Sequence, residues 1–576
     1  MPELAIVATV LEVLSSPVGP ALVLLAGAAT EMVIGRWVRR AGWLTGIALG
    51  FLAVAVWLFL DLRVQPIVPT FSRPWQPPLQ TGTNLVWVGD GWNWYVSGLL
   101  LLLGGIGIML DLSNSSDGTT KRSTRHAHSS LAVHLAVLAA GLLFVGSGNV
   151  LTTMLTWVLL DLIIILRGAV QTELSAPGTE TLRNPQHQAR GLSLLGALLL
   201  LIGLLPAGPL GPSQALSGGV LPPETAGLML LAALIRAGIY PFHLWLLPSG
   251  RQRVPVSDRL LDHMVPVLCG IWLLGWTVAL GSEYIHMQPD IIALLTLSLL
   301  GSSVAAWTAK EQTHFTTFVL VTSAGMVALT GTLAFSPGPE GLIWPATAFA
   351  LGGALWLVGE EVYQLWGWQI PVSVGALALA GVPFTPGFLT QPSLARLLRP
   401  DPLFLALFGA FVVAQSFQIA ALLRSWSDPE RQSQQLLQPG AIVRLMAATI
   451  ALAVPLATFG FFPRVAAGLA SMQNAIPPML GNPPSVVAEM PVWIAVSAPL
   501  ALGIGLVIAR PALWGAFGGL FDKIGVLARL EWLFQFSWWV IDRISDAWGQ
   551  VLRLVEGAGY VGWVAVFLLL GYFLVR

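Results

Sequence analysis

Apolar runs of about twenty residues recur sixteen times along this 576-residue chain, and no other feature narrows its possible folds as far. In hydrocarbon every backbone N–H and C=O must find its partner within the chain, so each run is read as a membrane-spanning helix. The expected spans are 18–36, 41–60, 92–111, 129–147, 149–168, 190–206, 224–246, 258–280, 289–309, 314–335, 342–360, 371–390, 402–424, 440–462, 489–509 and 557–575. Composition agrees. Only 10% of residues are charged and 55% are hydrophobic, where a soluble domain carries about 25% charge. An ordinary soluble enzyme and a disordered chain are both excluded. The 28 basic residues balance 28 acidic ones, so no net field gathers nucleic acid. A single cysteine, Cys269, leaves no disulfide framework and no Cys-ligated cluster or zinc site. Residues 1–16 carry Glu3 and Glu12 without a basic start, and so do not read as a cleavable signal.

Orientation follows from where Arg and Lys gather in short loops. Arg36, Arg39 and Arg40 follow the first span, and Lys121, Arg122 and Arg125 the third. Arg167, Arg183 and Arg190 follow the fifth, and Arg251, Arg253 and Arg259 the seventh. The alternate loops are nearly free of basic residues, which puts the loops after odd spans in the cytoplasm and both termini outside. Arg396 and Arg399 are the exception, falling on the outer side. Lysine occurs only at Lys121, Lys310 and Lys523, so a mechanism built on buried lysines has almost none to use.

Residues 511–556 have no twenty-residue apolar run, yet they show a helical stripe. Ile524, Leu527, Phe534, Trp538, Ile541, Trp548, Leu552 and Val555 recur at spacings of three, four or seven. Asp542, Asp546, Gln550 and Arg553 fall on another face. Such a segment lies along a membrane surface or a row of partners, as one lateral helix or as two shorter ones broken near Gly525 and Gly549.

Two spans contain breaks. The seventh runs Leu234-Ile235-Arg236-Ala237-Gly238-Ile239-Tyr240 into Pro241-Phe242-His243-Leu244-Trp245. Pro241 removes a backbone donor at membrane depth and is expected to free carbonyls one turn earlier. The twelfth places Gly381, Pro383, Pro386 and Gly387 within seven positions. Paired interrupted helices five spans apart are the mark of a transporter with repeated halves and midplane ion sites.

At these residues the chain resembles a known family. Arg236 to Trp245, followed by Pro255-Val256-Ser257 and Gly270-Ile271-Trp272-Leu273-Leu274, is similar to the antiporter-like membrane subunits of respiratory complex I and of multisubunit sodium/proton antiporters. Leu379 to Phe388 resembles that family's Ala-Gly-x-Pro-Pro-x-x-Gly-Phe, and Asp90-Gly91-Trp92-Asn93-Trp94-Tyr95 resembles the start of its third span. The similarity covers residues 80–425. It implies an all-α polytopic membrane protein with two inverted five-helix repeats, spans 4–8 and 9–13, broken at helices 7 and 12. A C-terminal amphipathic lateral helix would precede the last span. The expected units are 1–128 (N-terminal helices), 129–280 and 281–425 (the repeats), 426–510 (C-terminal helices), 511–556 (lateral helix) and 557–576 (last helix).

The resemblance also implies proton transfer between a glutamate on the fifth span and lysines on the seventh, eighth and twelfth, and here the chain departs from its family. The glutamate position matches Val158, with Asp161 three residues on; Asp161 either substitutes for it or pairs with Arg167. The seventh-span lysine matches Arg236, whose guanidinium effectively never releases its proton. The twelfth-span lysine matches Gln391, which can hold water but carries no charge, and the eighth span offers Asp262 and His263 instead. His243 either satisfies carbonyls freed at the break or relays protons. Asp262 and His263 either face headgroups or relay. Glu31 is expected to meet a partner or to reach toward Arg36, and Glu360 and Glu361 to be solvated.

The expectation is therefore a subunit of a complex I-related NADH:quinone oxidoreductase or of a cation/proton antiporter, with no redox centre and no cofactor of its own. Asp161, His243, Asp262 and His263 are its candidate carriers, around a fixed Arg236 and water held by Gln391. Sodium is left open as the ion. Its partners would be other membrane subunits and the lipid bilayer, with quinone-linked redox subunits in an assembly of the complex I kind. It would sit in the plasma membrane. The alternative is a non-pumping structural subunit that has lost the relay lysines.

Overall fold

A computed structural model describes residues 11–38, 41–65, 67–75, 84–114, 121–175, 185–204, 215–216, 219–247, 255–424, 439–470 and 489–556. Glu3, Arg39, Arg40, Arg183, Arg251, Arg253 and the expected span 557–575 lie outside these residues. Helices occupy all fifteen other expected spans. They are α1 (Gly19–Ile34), α2 (Ala41–Val64), α3 (Gly91–Asn114), α4 (Lys121–Val145), α5 (Val150–Ser175), α6 (Pro185–Leu204) and α7 (Pro223–Arg236). Then follow α8 (Val256–Leu280), α9 (Pro289–Thr308), α10 (Gln312–Leu333) and α11 (Pro339–Trp366). The last are α12 (Ile370–Leu379), α13 (Pro402–Arg424), α14 (Pro439–Phe461), α15 (Met490–Arg529) and α16 (Glu531–Glu556). Ten described helices are long and apolar enough to cross a membrane. Because each five-helix unit, α4–α8 and α9–α13, has an odd number of helices, the second begins on the opposite face from the first.

Local chemistry sets the helix ends. Asp90 caps α3, its Oδ1 accepting the Asn93 N–H at 2.8 Å. Asn93 then accepts the Trp272 indole N–H at 2.6 Å, which ties α3 to α8. A small antiparallel hairpin, β1 (Thr70–Pro74) and β2 (Asn84–Val88), lies against the junction of α4 and α5, where Val86 N–H bonds Thr152 Oγ1 at 2.9 Å. Buried α10 is rich in threonine and serine, and Thr317, Thr322, Ser323 and Thr330 each donate back to the carbonyl four residues earlier. That local bonding lets a polar helix occupy the core.

Two features differ from the sequence reading. One of the exceptional outer arginines is structural, since Arg396 Nη1 donates to the Leu333 and Ala334 carbonyls at 2.8 and 2.5 Å and closes the C-terminal end of α10. Its guanidinium also lies over Phe335, 5.0 Å from the ring centre. The amphipathic segment 511–556, moreover, is not divided from the preceding span at 510. The α15 helix continues to Arg529, bends at Phe517 (φ −129°) and ends where Leu530 adopts φ +58°. The reason is aromatic packing: Trp514 and Phe521 clasp Trp307 at the end of α9, with centroids 4.9 and 5.1 Å away. The second helix, α16, exposes Trp532, Phe536, Trp539, Ile544 and Trp548.

Candidate functional site

Both interrupted helices end in the same way. Gly238 (φ +61°) ends α7, with its N–H on the Ile235 carbonyl and the Ile239 N–H on Leu234. Gly381 (φ +72°) ends α12, with its N–H on Ala378 and the Val382 N–H on Leu377. This pair of bonds around a left-handed residue is a Schellman termination, so glycine stops each helix before any proline is reached. The expected freeing of carbonyls by Pro241 is corrected accordingly. Ile235 O also receives the Trp245 indole N–H at 2.9 Å, and Tyr240 O receives the Ser298 hydroxyl. At the second break Ala380 O receives Gln415 Nε2 at 3.1 Å. Short 3-10 turns, Phe242–Leu246 and Pro386–Thr390, resume the two paths.

What the breaks hold is opposite in character. In the first half Arg236, wholly buried at the last position of α7, is paired with Asp161 of α5. Arg236 Nη1 also donates to Ser193 Oγ of α6 at 2.9 Å, and Trp157 Nε1 donates to Asp161 Oδ2 at 3.0 Å. Phe144, Trp157 and Trp245 enclose the guanidinium, with centroids 5.7, 5.3 and 5.9 Å away. Desolvated ring faces of this kind hold a cation that lacks a full set of hydrogen bonds. Close approach completes the site, since a Cβ at Gly270 would stand 2.2 Å from the Ala237 nitrogen. The pairing of Asp161 with Arg167 is not made; Asp161 pairs with Arg236, which neither alternative names. Val158, at the family's glutamate position, is 43% exposed and faces outward.

Arg167 instead anchors a second charged group, where the end of α3, the middle of α4, the later part of α5 and the start of α8 converge. Its guanidinium pairs with Asp262 and, at 2.5 Å, with Asp258 Oδ1, and it lies 2.8 Å from His134 Nε2. Asp111 Oδ2 is 3.7 Å from His134 Nδ1. A π turn over Leu260–Met264 brings Asp262 toward this group, with half-buried His263 beside it. On the same face Arg259 of α8 reaches Glu360 of α11 at 3.7 Å, and Gln312 of α10 donates to that carboxylate. Glu360 is therefore buried rather than solvated; it ties the first half to the second.

The second break is neutral. Gln391 is buried beside Gly381, in a small cavity that Ser323, Thr390 and Gln415 also line, and no ionisable side chain lines it among the described residues. Gln418 donates to Ser323 Oγ at 3.0 Å. The Oε1 atoms of Gln391, Gln415 and Gln418 are buried and accept no hydrogen bond from the described residues.

The sequence-derived candidates thus fall into separate places: Asp161 with Arg236, Asp262 with Arg167, and Gln391 in the neutral cavity. His243 is wholly buried and stacked on Tyr240, with Phe318 on its other flank, at centroid distances of 5.2 and 5.0 Å. Among the described residues no side chain hydrogen-bonds it, and the backbone of Pro241 and Arg529 lies beside it. Glu31 is wholly buried next to Ala48 of α2, not reaching toward Arg36. The residues that sequence reasoning passed over are Asp111, His134, Asp258, Gln415 and Gln418. His134 carried a usable signal, a lone titratable side chain inside an apolar run. The acids at helix ends carried none.

No protein-family model matches the chain. A curated relative, NADH-ubiquinone oxidoreductase chain 2 of Megaderma spasma, is 28% identical over 119 residues. That match spans 20% of this chain and 31% of the relative, well under two thirds of its length. In structure the chain is similar to one in the Mrp complex of Dietzia sp. DQ12-45-1b, with a TM-score of 0.67 and 19% identity, over 95% of this chain and 62% of that one. It is also similar to one in the membrane-bound sulfane sulfur reductase, an archaeal respiratory membrane complex. There the TM-score is 0.65 at 15% identity, over 96% of this chain and 98% of that one. The likeness shows the fold, that of an all-α, multi-pass membrane protein of the kind found in those two complexes.

Proposed function

We propose that this chain is an antiporter-like subunit of a multi-subunit membrane assembly related to complex I or to the cation/proton antiporters, and that protons move through its first repeat. The buried Asp161–Arg236 pair at the α7 break carries this reading. Arginine stays charged, so the group that changes its proton here is Asp161. Neutralising Asp161 breaks the ion pair, while Ser193 and the three rings continue to hold Arg236; the proton on Asp161 is then free to pass on. Asp262 and His263 serve the approach from the cytoplasmic face and His243 the approach along α10. Gln391, Gln415 and Gln418 supply acceptors for a neutral hydrogen-bonded chain in the second repeat. Residence in the plasma membrane, with both termini outside, belongs to the same proposal, as does its partnership with other membrane subunits.

One observation favours a second reading. A repeat with no titratable group at its break stores no charge, which suits a structural subunit that spaces or seals its partners. The two readings separate in vesicles that hold the full chain and a trapped pH dye. Asp161→Asn combined with His243→Gln should stop proton movement; unchanged movement in tight vesicles sinks the transport reading. Val158→Glu is no rescue under either reading, because that side chain faces outward.

A further inference from the structure

We propose that His134 is the proton-accepting station of the first repeat, held ready by Asp111, Asp258 and Arg167. The inference rests on the reading that this repeat moves protons, and it assigns the group that takes them up. Arg167 has only N–H groups to offer, so at 2.8 Å His134 Nε2 must be the acceptor, and the neutral ring carries its hydrogen on Nδ1. His134 itself is wholly buried, and its Nδ1 has no hydrogen-bond partner.

Carboxylates crowd the ring. Among the described side chains, Asp111 of α3 and Asp258 and Asp262 of α8 gather around His134 and Arg167 of α5. Glu31 is the buried titratable group of α1, which also packs along α4, and Asp61 of α2 is exposed. The three carboxylates are 12–16% exposed and offer the contact with water that the ring lacks. When a proton arrives at Nε2, the hydrogen bond from Arg167 breaks and a new N–H replaces the lone pair. Asp258 Oδ1 stands 3.6 Å from Nε2 and Asp111 Oδ2 3.7 Å from Nδ1, so the imidazolium has a carboxylate within ion-pair distance of each nitrogen. Arg167 keeps both of its aspartates. No covalent bond other than that to the proton is made or broken, and the group gains one unit of positive charge.

His134→Gln separates this role from a structural one, since its amide oxygen can still accept from Arg167 while binding no proton. The full chain in vesicles with a trapped pH dye should lose about tenfold or more of its proton uptake in His134→Gln. Its unfolding temperature should stay near that of the wild type. Asp258→Asn, which removes one acceptor of the imidazolium, should move the pH of half-maximal uptake down by about one unit. Nitrogen-15 NMR of histidine-labelled chain, with the His134 signal assigned by its loss in His134→Gln, should show the ring taking a proton over the same pH range in which uptake rises. If Asp161→Asn blocks uptake while His134→Gln keeps the wild-type rate and pH profile, the station is wrong and the transport reading stands. If the wild type moves no protons, that reading fails and the NMR titration alone decides; a ring that never titrates overturns the proposal. A Mn2+ signal by electron paramagnetic resonance that His134→Gln abolishes would also overturn it, by making the group a metal site.

Discussion

The two breaks share a backbone and differ in chemistry. Around Gly238 the protein places a guanidinium, a carboxylate, a hydroxyl and three aromatic rings; around Gly381 it places amides and hydroxyls alone. The Schellman termination, the 3-10 turn and a polar side chain from a neighbouring helix recur at both. The interruption is therefore a property of glycine and hydrogen bonding, and needs no charge. Charge sits at one break only, and the contrast can be tested by exchanging what each break holds.

The largest effect should come from leaving a buried charge alone. Asp161→Asn strands Arg236 and should cost about 3–5 kcal/mol of stability. Gln391→Leu removes an amide whose oxygen the protein leaves unbonded, and should change stability by less than about 1.5 kcal/mol. Thermal unfolding in mild detergent compares the two. Next come lysine exchanges. Gln391→Lys inserts a charge with no carboxylate on the cavity wall and should cost several kcal/mol. Arg236→Lys keeps Asp161 as its partner and should cost about 1–2 kcal/mol through lost ring and Ser193 contacts. Equal losses would show that the two halves are not electrostatically distinct.

Smaller effects probe the shared backbone. Gly238→Ala and Gly381→Ala each force a side chain into a left-handed conformation, at about 1–3 kcal/mol. Gly381→Ala should be the worse, because its Cβ would meet the Gly387 backbone oxygen at 3.2 Å as well as the end of the Gln391 side chain, whereas at Gly238 the nearest atoms all belong to side chains. The smallest effect belongs outside both breaks. Lys310 and Asp522 form an exposed pair at 2.8 Å, and Lys310→Ala should change stability by less than about 1 kcal/mol. A larger loss would mean that α15 supports the second half through this contact.

The span pattern was legible because apolar run length alone specifies it, and the breaks because Gly and Pro punctuate a helix wherever they occur. Pairing was not legible. Asp161 had Arg167 within two turns of its own helix, and only packing shows that α7 delivers Arg236, 75 residues away, while Arg167 turns to α8. The structural role of Arg396 was not legible, because only packing shows that its guanidinium closes the end of α10. The neutral character of the second break was visible at Gln391 but not at Gln415 or Gln418, which read as ordinary polar residues until α13 sets them beside the break. The length of α15 was hidden because aromatic packing on Trp307, not an apolar run, carries it past the membrane span.

The most direct measurement sets proton flux through Asp161→Asn beside flux through Gln391→Ala, in the same vesicles and at the same pH. If the charge-carrying step belongs to the first repeat alone, Asp161→Asn loses about a hundredfold or more, while Gln391→Ala, whose role is only to hold a neutral hydrogen-bonded chain, loses less than about tenfold. Wild-type flux through Asp161→Asn, or equal losses in the two variants, would contradict the account.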